Sequence, residues 1–185
     1  TPAMLHEHFD LELGSGQALR FRDPRRFGSL HWADDPLRHW LIRDLGPEPL
    51  GESFGGDWLW QKSRRRKVAV KQFIMTNAIV VGVGNIYASE SLFLAGINPK
   101  RAAGRVSRER YERLAAAIRQ VLGKAIEAGG TTLRDFYGGG GEPGYFRHEL
   151  TVYDREDQPC VTCGTPVTAI VQGQRRTYYC KRCQT

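Results

Sequence analysis

The four cysteines of this 185-residue chain all fall in its last 26 residues, as Cys160-x-x-Cys163 and, sixteen residues on, Cys180-x-x-Cys183. A C-x-x-C turn presents two thiolates to one side, and two such turns match the zinc-ribbon template, in which both pairs close on one tetrahedral ion. Two disulfides are the alternative, but paired C-x-x-C turns in a basic intracellular chain favour metal. One structural zinc on Cys160, Cys163, Cys180 and Cys183 is therefore expected. Four thiolates around it carry a net charge of minus two, so the formal charge of +7 becomes about +5 in the metallated protein.

That basic excess comes from 27 Lys and Arg against 20 Asp and Glu, with a pI near 9.5, and it puts polyanions, nucleic acid above all, first among partners. Apolar residues at 41% and charged residues at 25% sit near the globular norm, so the chain is expected to fold. No stretch approaches the roughly 18 apolar residues of a membrane span. Thr1 to Asp10 lacks the layout of a signal peptide, and a soluble intracellular protein is expected.

Along the chain, His8 to Leu13 alternates apolar and polar residues, Gly14 to Gln17 reads as a turn, and Ala18 to Arg22 resumes the alternation, which predicts a hairpin. A loop, Asp23-Pro24-Arg25-Arg26-Phe27-Gly28, leads to an expected strand at Ser29 to Trp32. Three strands cannot make a sheet with its own core, so the chain is expected to begin inside a β domain or to borrow strands. Asp35-Pro36 starts a short helix through about Asp44, and Gly46-Pro47-Glu48-Pro49 is a rigid connector.

From Gly51 to about Gly129 the reading is helical. Asp57 is placed to cap a helix through Lys62, Arg64, Arg65, Arg66 and Lys67 to about Lys71, or on to Thr76. Asn85 to Ala95 is a second helix, stopped by Gly96 and Pro99. Ser107 and the periodic Tyr111, Leu114, Ala115, Ile118, Val121, Leu122 and Ala125 predict an amphipathic helix ending at Gly129-Gly130. The run Gly138 to Gly141 predicts a mobile loop, and Leu150 to Tyr153 and Thr177 to Tyr179 are expected as strands flanking the cysteine turns.

Three motifs carry chemistry. Val81-Gly82-Val83-Gly84-Asn85 feeds a helix start, where backbone N–H groups and the positive helix end suit a phosphate. It is neither a P-loop, lacking Lys-Ser/Thr, nor a dinucleotide fingerprint, with Tyr87 where the third glycine belongs; a plain glycine-rich connector is the bland alternative. Asn85 there can both cap and donate to an anion. Arg25, Arg26 and Phe27 are either a solvated loop with an anchoring aromatic or a probe of the base stack. Gln174-Arg175-Arg176, at the turn between the cysteine pairs, projects toward a phosphate or groove. Lys62 and Lys71 are nucleophiles only if buried.

Taken together, Asp23-Pro24-Arg25-Arg26-Phe27-Gly28, Leu45-Gly46-Pro47-Glu48-Pro49-Leu50, Val81 to Glu90, Gly129 to Phe136, Pro143-Gly144-Tyr145-Phe146 and the cysteine set resemble bacterial formamidopyrimidine-DNA glycosylase over nearly the whole chain. The resemblance implies an α+β architecture. Residues 1–34 end an N-terminal β-sandwich domain, 35–50 link, 51–150 form a helix-two-turns-helix DNA-binding domain, and 151–185 form a β-hairpin zinc finger. It implies base-excision repair: removal of 8-oxoguanine and formamidopyrimidines from duplex DNA, then strand cleavage by β/δ-elimination through a Schiff base. The implied partner is double-stranded DNA holding oxidised purines or abasic sites, bound by a monomer in the bacterial cytoplasm, with no membrane involved.

The same resemblance implies roles. Arg25 fills the gap left by the flipped base and reads the opposite cytosine, Phe27 wedges the stack and Arg26 holds a backbone phosphate. Asn85 and Arg175 grip the phosphates flanking the lesion, and Lys71 lies near the damaged nucleotide. Thr131 to Tyr145, with Thr132, Phe136 and Tyr137, resembles the loop that closes over the everted base.

Two departures stand out. The family acts through an N-terminal proline followed by glutamate, whereas this chain starts Thr1-Pro2-Ala3-Met4-Leu5, so no catalytic residue is assigned here, and the chain alone is expected to be inactive and to give no borohydride-trapped DNA adduct. Met75-Thr76-Asn77 stands where the family usually has Met-Asp-Gln. The rival readings are an endonuclease VIII-like glycosylase for oxidised pyrimidines and a non-catalytic zinc-ribbon DNA-binding module.

Overall fold

The computed structural model describes residue 2 and residues 4–131 and 146–185. The chain divides into two compact units, Thr1–Arg43 and Asp44–Thr185.

In the first unit, β1 (Glu7–Glu12) pairs antiparallel with β2 (Ala18–Arg22), as the alternation predicts. Phe9 faces Phe21 in a stacked pair 5.0 Å apart, and Asp10 faces Arg20, whose Nε and Nη2 donate to its carboxylate at 2.7 and 2.8 Å. The Asp23 carboxylate accepts from the main-chain N–H groups of Gly28 (2.6 Å) and Arg25 (3.1 Å), which ties the loop into a ring and holds the carboxyl below the usual carboxylate range. A Cβ at Gly28 would lie 2.6 Å from the tip of the Phe21 ring, so a larger residue there has to displace that side chain. The expected strand at Ser29 to Trp32 does not form: no partner strand reaches it among the described residues, and Leu30 and Trp32 stand exposed. The helix expected from Asp35 to Asp44 shrinks to one 3-10 turn, Pro36–Arg38, capped by the Asp35 side chain, followed by turns.

Among the described residues the second unit holds four α-helices and a hairpin: α1 (Gly56–Ser63), α2 (Val70–Ile74), α3 (Asn85–Leu94), α4 (Arg108–Glu127), β3 (Thr168–Gln172) and β4 (Arg175–Tyr179). The amphipathic helix is as the periodicity predicts. Ser107 caps α4 by accepting from the Arg110 N–H, and Tyr111, Leu114, Ala115, Ile118, Val121 and Ala125 are buried, with Leu122 packed at the edge. Gly129 and Gly130, both at positive φ, end it. Its apolar stripe meets Leu59 of α1, Val70 and Ile74 of α2 and Leu92 of α3 in one core. Gly56 lets α1 approach this closely, since a Cβ would lie 2.5 Å from the Glu112 backbone.

The long helix expected from Asp57 to Lys71 or Thr76 is two short ones. Gly55, not Asp57, is the N-cap of α1, and Asp57 instead pairs with Arg108 in its first turn. The helix stops at Ser63 because the following residues find better partners far along the chain. Gly104 and Ala103 donate to the Arg66 and Val68 carbonyls at 2.9 and 2.8 Å, and an isolated bridge joins Ala69 to Ala102. Arg65 takes φ +62 at the break. Tertiary pairing thus overrides local helix propensity.

In the hairpin, Gln172 faces Arg175 across a two-residue turn in which Gly173 and Gln174 both have positive φ, as a type I′ turn requires. Leu150 to Tyr153 is not a strand. It wraps the Glu90 carboxylate of α3, which accepts from Thr151 N (2.9 Å) and Oγ1 (2.5 Å), Val152 N (3.0 Å) and Tyr153 N (2.8 Å).

Candidate nucleic-acid interface

The start of α3 is where the helical part meets the hairpin. Gly82, at φ +75, turns the chain, and Gly84 is the N-cap without a side-chain hydrogen bond. Asn85 is therefore the first residue inside the helix and not its cap, which corrects the expected capping role. Its amide turns sideways. Oδ1 accepts from Lys71 Nζ at 2.5 Å, while Nδ2 donates to the Arg176 carbonyl at 3.0 Å and to Tyr153 Oη at 3.4 Å.

Lys71, on α2, is 1% exposed. Its three N–H donors meet Asn85 Oδ1, Thr177 Oγ1 (2.7 Å) and the Arg176 carbonyl (3.4 Å). Burial, with the nearby Arg175 cation, lowers its pKa to about 8. A lysine whose folded pKa lies below its unfolded value of about 10.4 opposes folding while protonated, so this penalty is full below about pH 8 and vanishes above about pH 10.5. Titrated by NMR of the lysine side chains, Lys71 is expected to have a midpoint near 8 that rises in Arg175→Gln. An unchanged midpoint would show that Arg175 does not act on it.

Arg175 opens β4 and lines a groove of about 220 Å³ with Lys71, Gln72, Met75, Gln172 and Gly173. Arg176 points to the other side of the strand and pairs with Glu156, so of the two arginines expected to project from the turn, Arg175 alone lines the groove. A cation at the groove mouth, a helix start with a glycine-shaped backbone, and an amide bridging both scaffolds together suit an anionic oxygen.

In the first unit, the Arg25 guanidinium sits 5.0 Å from the centre of the Phe27 ring, which is 80% exposed, and Arg26 holds φ +55. Thr131 Oγ1 meets Tyr87 Oη at 3.1 Å, and the Tyr87 ring lies 6.0 Å from Phe146. Thr132, Phe136, Tyr137, Tyr145 and the glycine run lie outside the described residues.

The cysteines converge. All four Sγ atoms lie within 4.8 Å of one another, with Cys160 to Cys183 at 3.9 Å and Cys163 to Cys180 at 3.5 Å. A tetrahedron with Zn–S bonds of about 2.3 Å has S···S edges of about 3.8 Å, whereas a disulfide is about 2.05 Å, so the set fits one zinc ion and not two disulfides. Bound there, zinc would offset two of the four thiolate charges and tie the two turns together.

Sequence reasoning missed three parts of this arrangement: the burial of Lys71 against Thr177, the Glu90 anchor, and Gln184, whose amide accepts from Cys180 N and donates to the Ile97 carbonyl. The one available signal was Glu90 as the single charged residue of α3.

Residues 45–137 match the family model described as the formamidopyrimidine-DNA glycosylase H2TH domain, and residues 157–185 match the zinc finger found in FPG and IleRS. The formamidopyrimidine-DNA glycosylase of Stutzerimonas stutzeri is 60% identical over 184 residues, covering 100% of this chain and 68% of the relative. The crystal structure of MutM (Fpg) from Thermus thermophilus superposes with a TM-score of 0.86 at 38% identity, over 99% of this chain and 70% of that one. Lactococcus lactis Fpg in complex with abasic-site DNA and with Fapy-dG DNA gives TM-scores of 0.86 and 0.85 at 31% and 30% identity, each over 100% of this chain and 68% of that one. The two matched segments, the full-length identity and the shared fold place this chain in the formamidopyrimidine-DNA glycosylase family.

Proposed function

We propose that this chain supplies the DNA-gripping and lesion-reading part of a base-excision reaction on oxidised purines, 8-oxoguanine and formamidopyrimidines, followed by β/δ-elimination at the abasic site. The observation that carries the reading is the meeting of Asn85 and Arg175, from separate scaffolds, around the buried Lys71. In this reading residues 51–150 are the helix-two-turns-helix domain, 151–185 the finger and 1–34 the end of a β-sandwich. Asn85 and Arg175 hold the phosphates beside the lesion, and Arg26 holds another. Arg25 fills the gap left by the flipped nucleotide and Phe27 wedges beside it. Thr131 to Tyr145 senses the everted base. Relatives solved with Fapy-dG and abasic-site DNA support the substrate class.

In the reaction proposed, an amine attacks the sugar C1′, the damaged base leaves, and the resulting Schiff base undergoes elimination. Lys71 is not assigned that role: it is 1% exposed, and its ammonium is held by Asn85 Oδ1, Thr177 Oγ1 and the Arg176 carbonyl. No residue of this chain is assigned the nucleophile's role.

In the zinc-loaded protein, Arg175→Ala is expected to weaken binding to damaged and intact duplexes alike and to flatten the salt dependence by about one unit in log K against log salt. Fluorescence anisotropy at several salt concentrations measures it. Incision of 8-oxoguanine duplexes in preference to thymine glycol duplexes is expected of the protein with its catalytic amine. The reverse preference would point to the pyrimidine-lesion relatives, and equal affinity for abasic and intact duplexes would overturn the reading.

A further inference from the structure

A second cationic surface lies outside the groove of Lys71 and Arg175. The pairing that ends α1 brings two basic segments side by side, Arg65 to Lys67 and Lys100 to Arg105: Gly104 N donates to the Arg66 carbonyl, Ala103 N to Val68 and Val70 N to Arg101. Arg65, Arg66, Lys67, Lys100 and Arg105 are exposed. Among the described residues no carboxylate pairs with any of these or with Arg101, unlike Arg108, Arg113 and Arg176, which each have one. Lys100, Arg101 and Arg105 line a shallow, open depression of about 490 Å³ together with Asn98, Ala102 and Thr185. Arg101, one of the lining residues, has its Nε buried with no hydrogen-bond acceptor from the described protein. The neighbouring Arg110 directs its Nη2 to the Gly96 carbonyl and the Thr185 oxygen while its own Nε is also buried without an acceptor, and Lys100 Nζ rests 5.4 Å from the centre of the Tyr179 ring.

A buried guanidinium N–H needs an acceptor, and unpaired cations from two segments held at fixed spacing repel one another unless an anion lies between them. A solvated face would not need the buried donor. We propose that this depression and its rim bind phosphate groups of a DNA backbone outside the lesion clamp, without regard to lesion or sequence. Such binding adds affinity and salt dependence but no discrimination. The inference rests on the reading of the protein as DNA-binding.

The test is a triple variant at exposed positions, Lys67→Gln, Lys100→Gln and Arg105→Gln, in the zinc-loaded protein, with the thermal midpoint and zinc content measured first. On an intact duplex the slope of log K against log salt is expected to fall by about 2 to 3 units, at about 0.9 for each phosphate no longer neutralised. The affinity ratio between abasic and intact duplexes is expected to stay within about twofold. As a second readout, the Arg101 Nε–H resonance is expected to shift on titration with inorganic phosphate in the unsubstituted protein. An unchanged slope overturns the proposal, as does a collapsed ratio, which would make these residues part of the clamp, or an Arg101 resonance blind to phosphate. An unsubstituted protein that shows no abasic preference yet keeps the slope difference would sink the glycosylase reading and leave this one standing.

Discussion

Stripping zinc from the protein, or replacing Cys163 with serine, is expected to abolish measurable DNA binding instead of merely weakening it. The finger has two five-residue strands and a small apolar cluster of Val152, Val167 and Tyr178 built around Cys160 and Cys180, too little to hold a hairpin in water without a staple. Structural zinc contributes about 10 to 16 kcal/mol of binding energy, which in such a module is folding energy. Losing the hairpin removes Arg175 from the groove. It also takes Thr177 and the Arg176 carbonyl from Lys71, leaving a buried ammonium short of two of its three acceptors. The damage therefore spreads into α2 and to the Asn85 amide at the start of α3. Zinc stoichiometry near zero together with a loss of anisotropy change on any duplex is the expected pair of results. Metal-free protein that binds within threefold of the loaded form would show that the finger stands without its ion.

The second large effect is expected at Glu90. Its carboxylate, 4% exposed, accepts three main-chain N–H groups and one hydroxyl from residues 151–153 and is the anchor that fixes the approach to the finger. Hydrogen bonds to a charged group contribute about 1.5 to 3 kcal/mol, and the donors orphaned by its removal add to the cost, so with sharing among the four bonds Glu90→Ala is expected to lose about 3 to 5 kcal/mol. At about 2 to 4 °C per kcal/mol for a chain of this size, the thermal midpoint falls by roughly 10 °C. Glu90→Gln is expected to lose nearly as much, because the isosteric amide turns an NH₂ group toward N–H donors. A glutamine variant melting within about 2 °C of the unsubstituted protein would show that charge and acceptor count do not matter there.

Both effects run through contacts that local sequence rules do not reach. The cysteine spacing, the alternation of β1 and β2 and the stripe from Tyr111 to Ala125 specify their elements because each is decided within a few residues: a turn that aims two thiolates, a pleat of period two, a helical face of period 3.6. The motifs shared with the glycosylase family made the candidate site residues legible by resemblance, yet they did not say what those side chains touch. The break after Ser63 was invisible because Arg64 to Lys67 is compatible with a helix, and it is the backbone of Ala103 and Gly104 that draws the chain out of one.

The sequence by itself thus determined the metal site, the long helix, the first hairpin and the basic character that directs the protein to a polyanion. Tertiary structure alone decided that Lys71 is buried and Glu90 satisfied. The partners of Lys71 lie 14, 105 and 106 residues away and those of Glu90 61 to 63 residues away. Whether a charge can be taken out of water depends on donors and acceptors brought to it by folding, not on its neighbours in the chain.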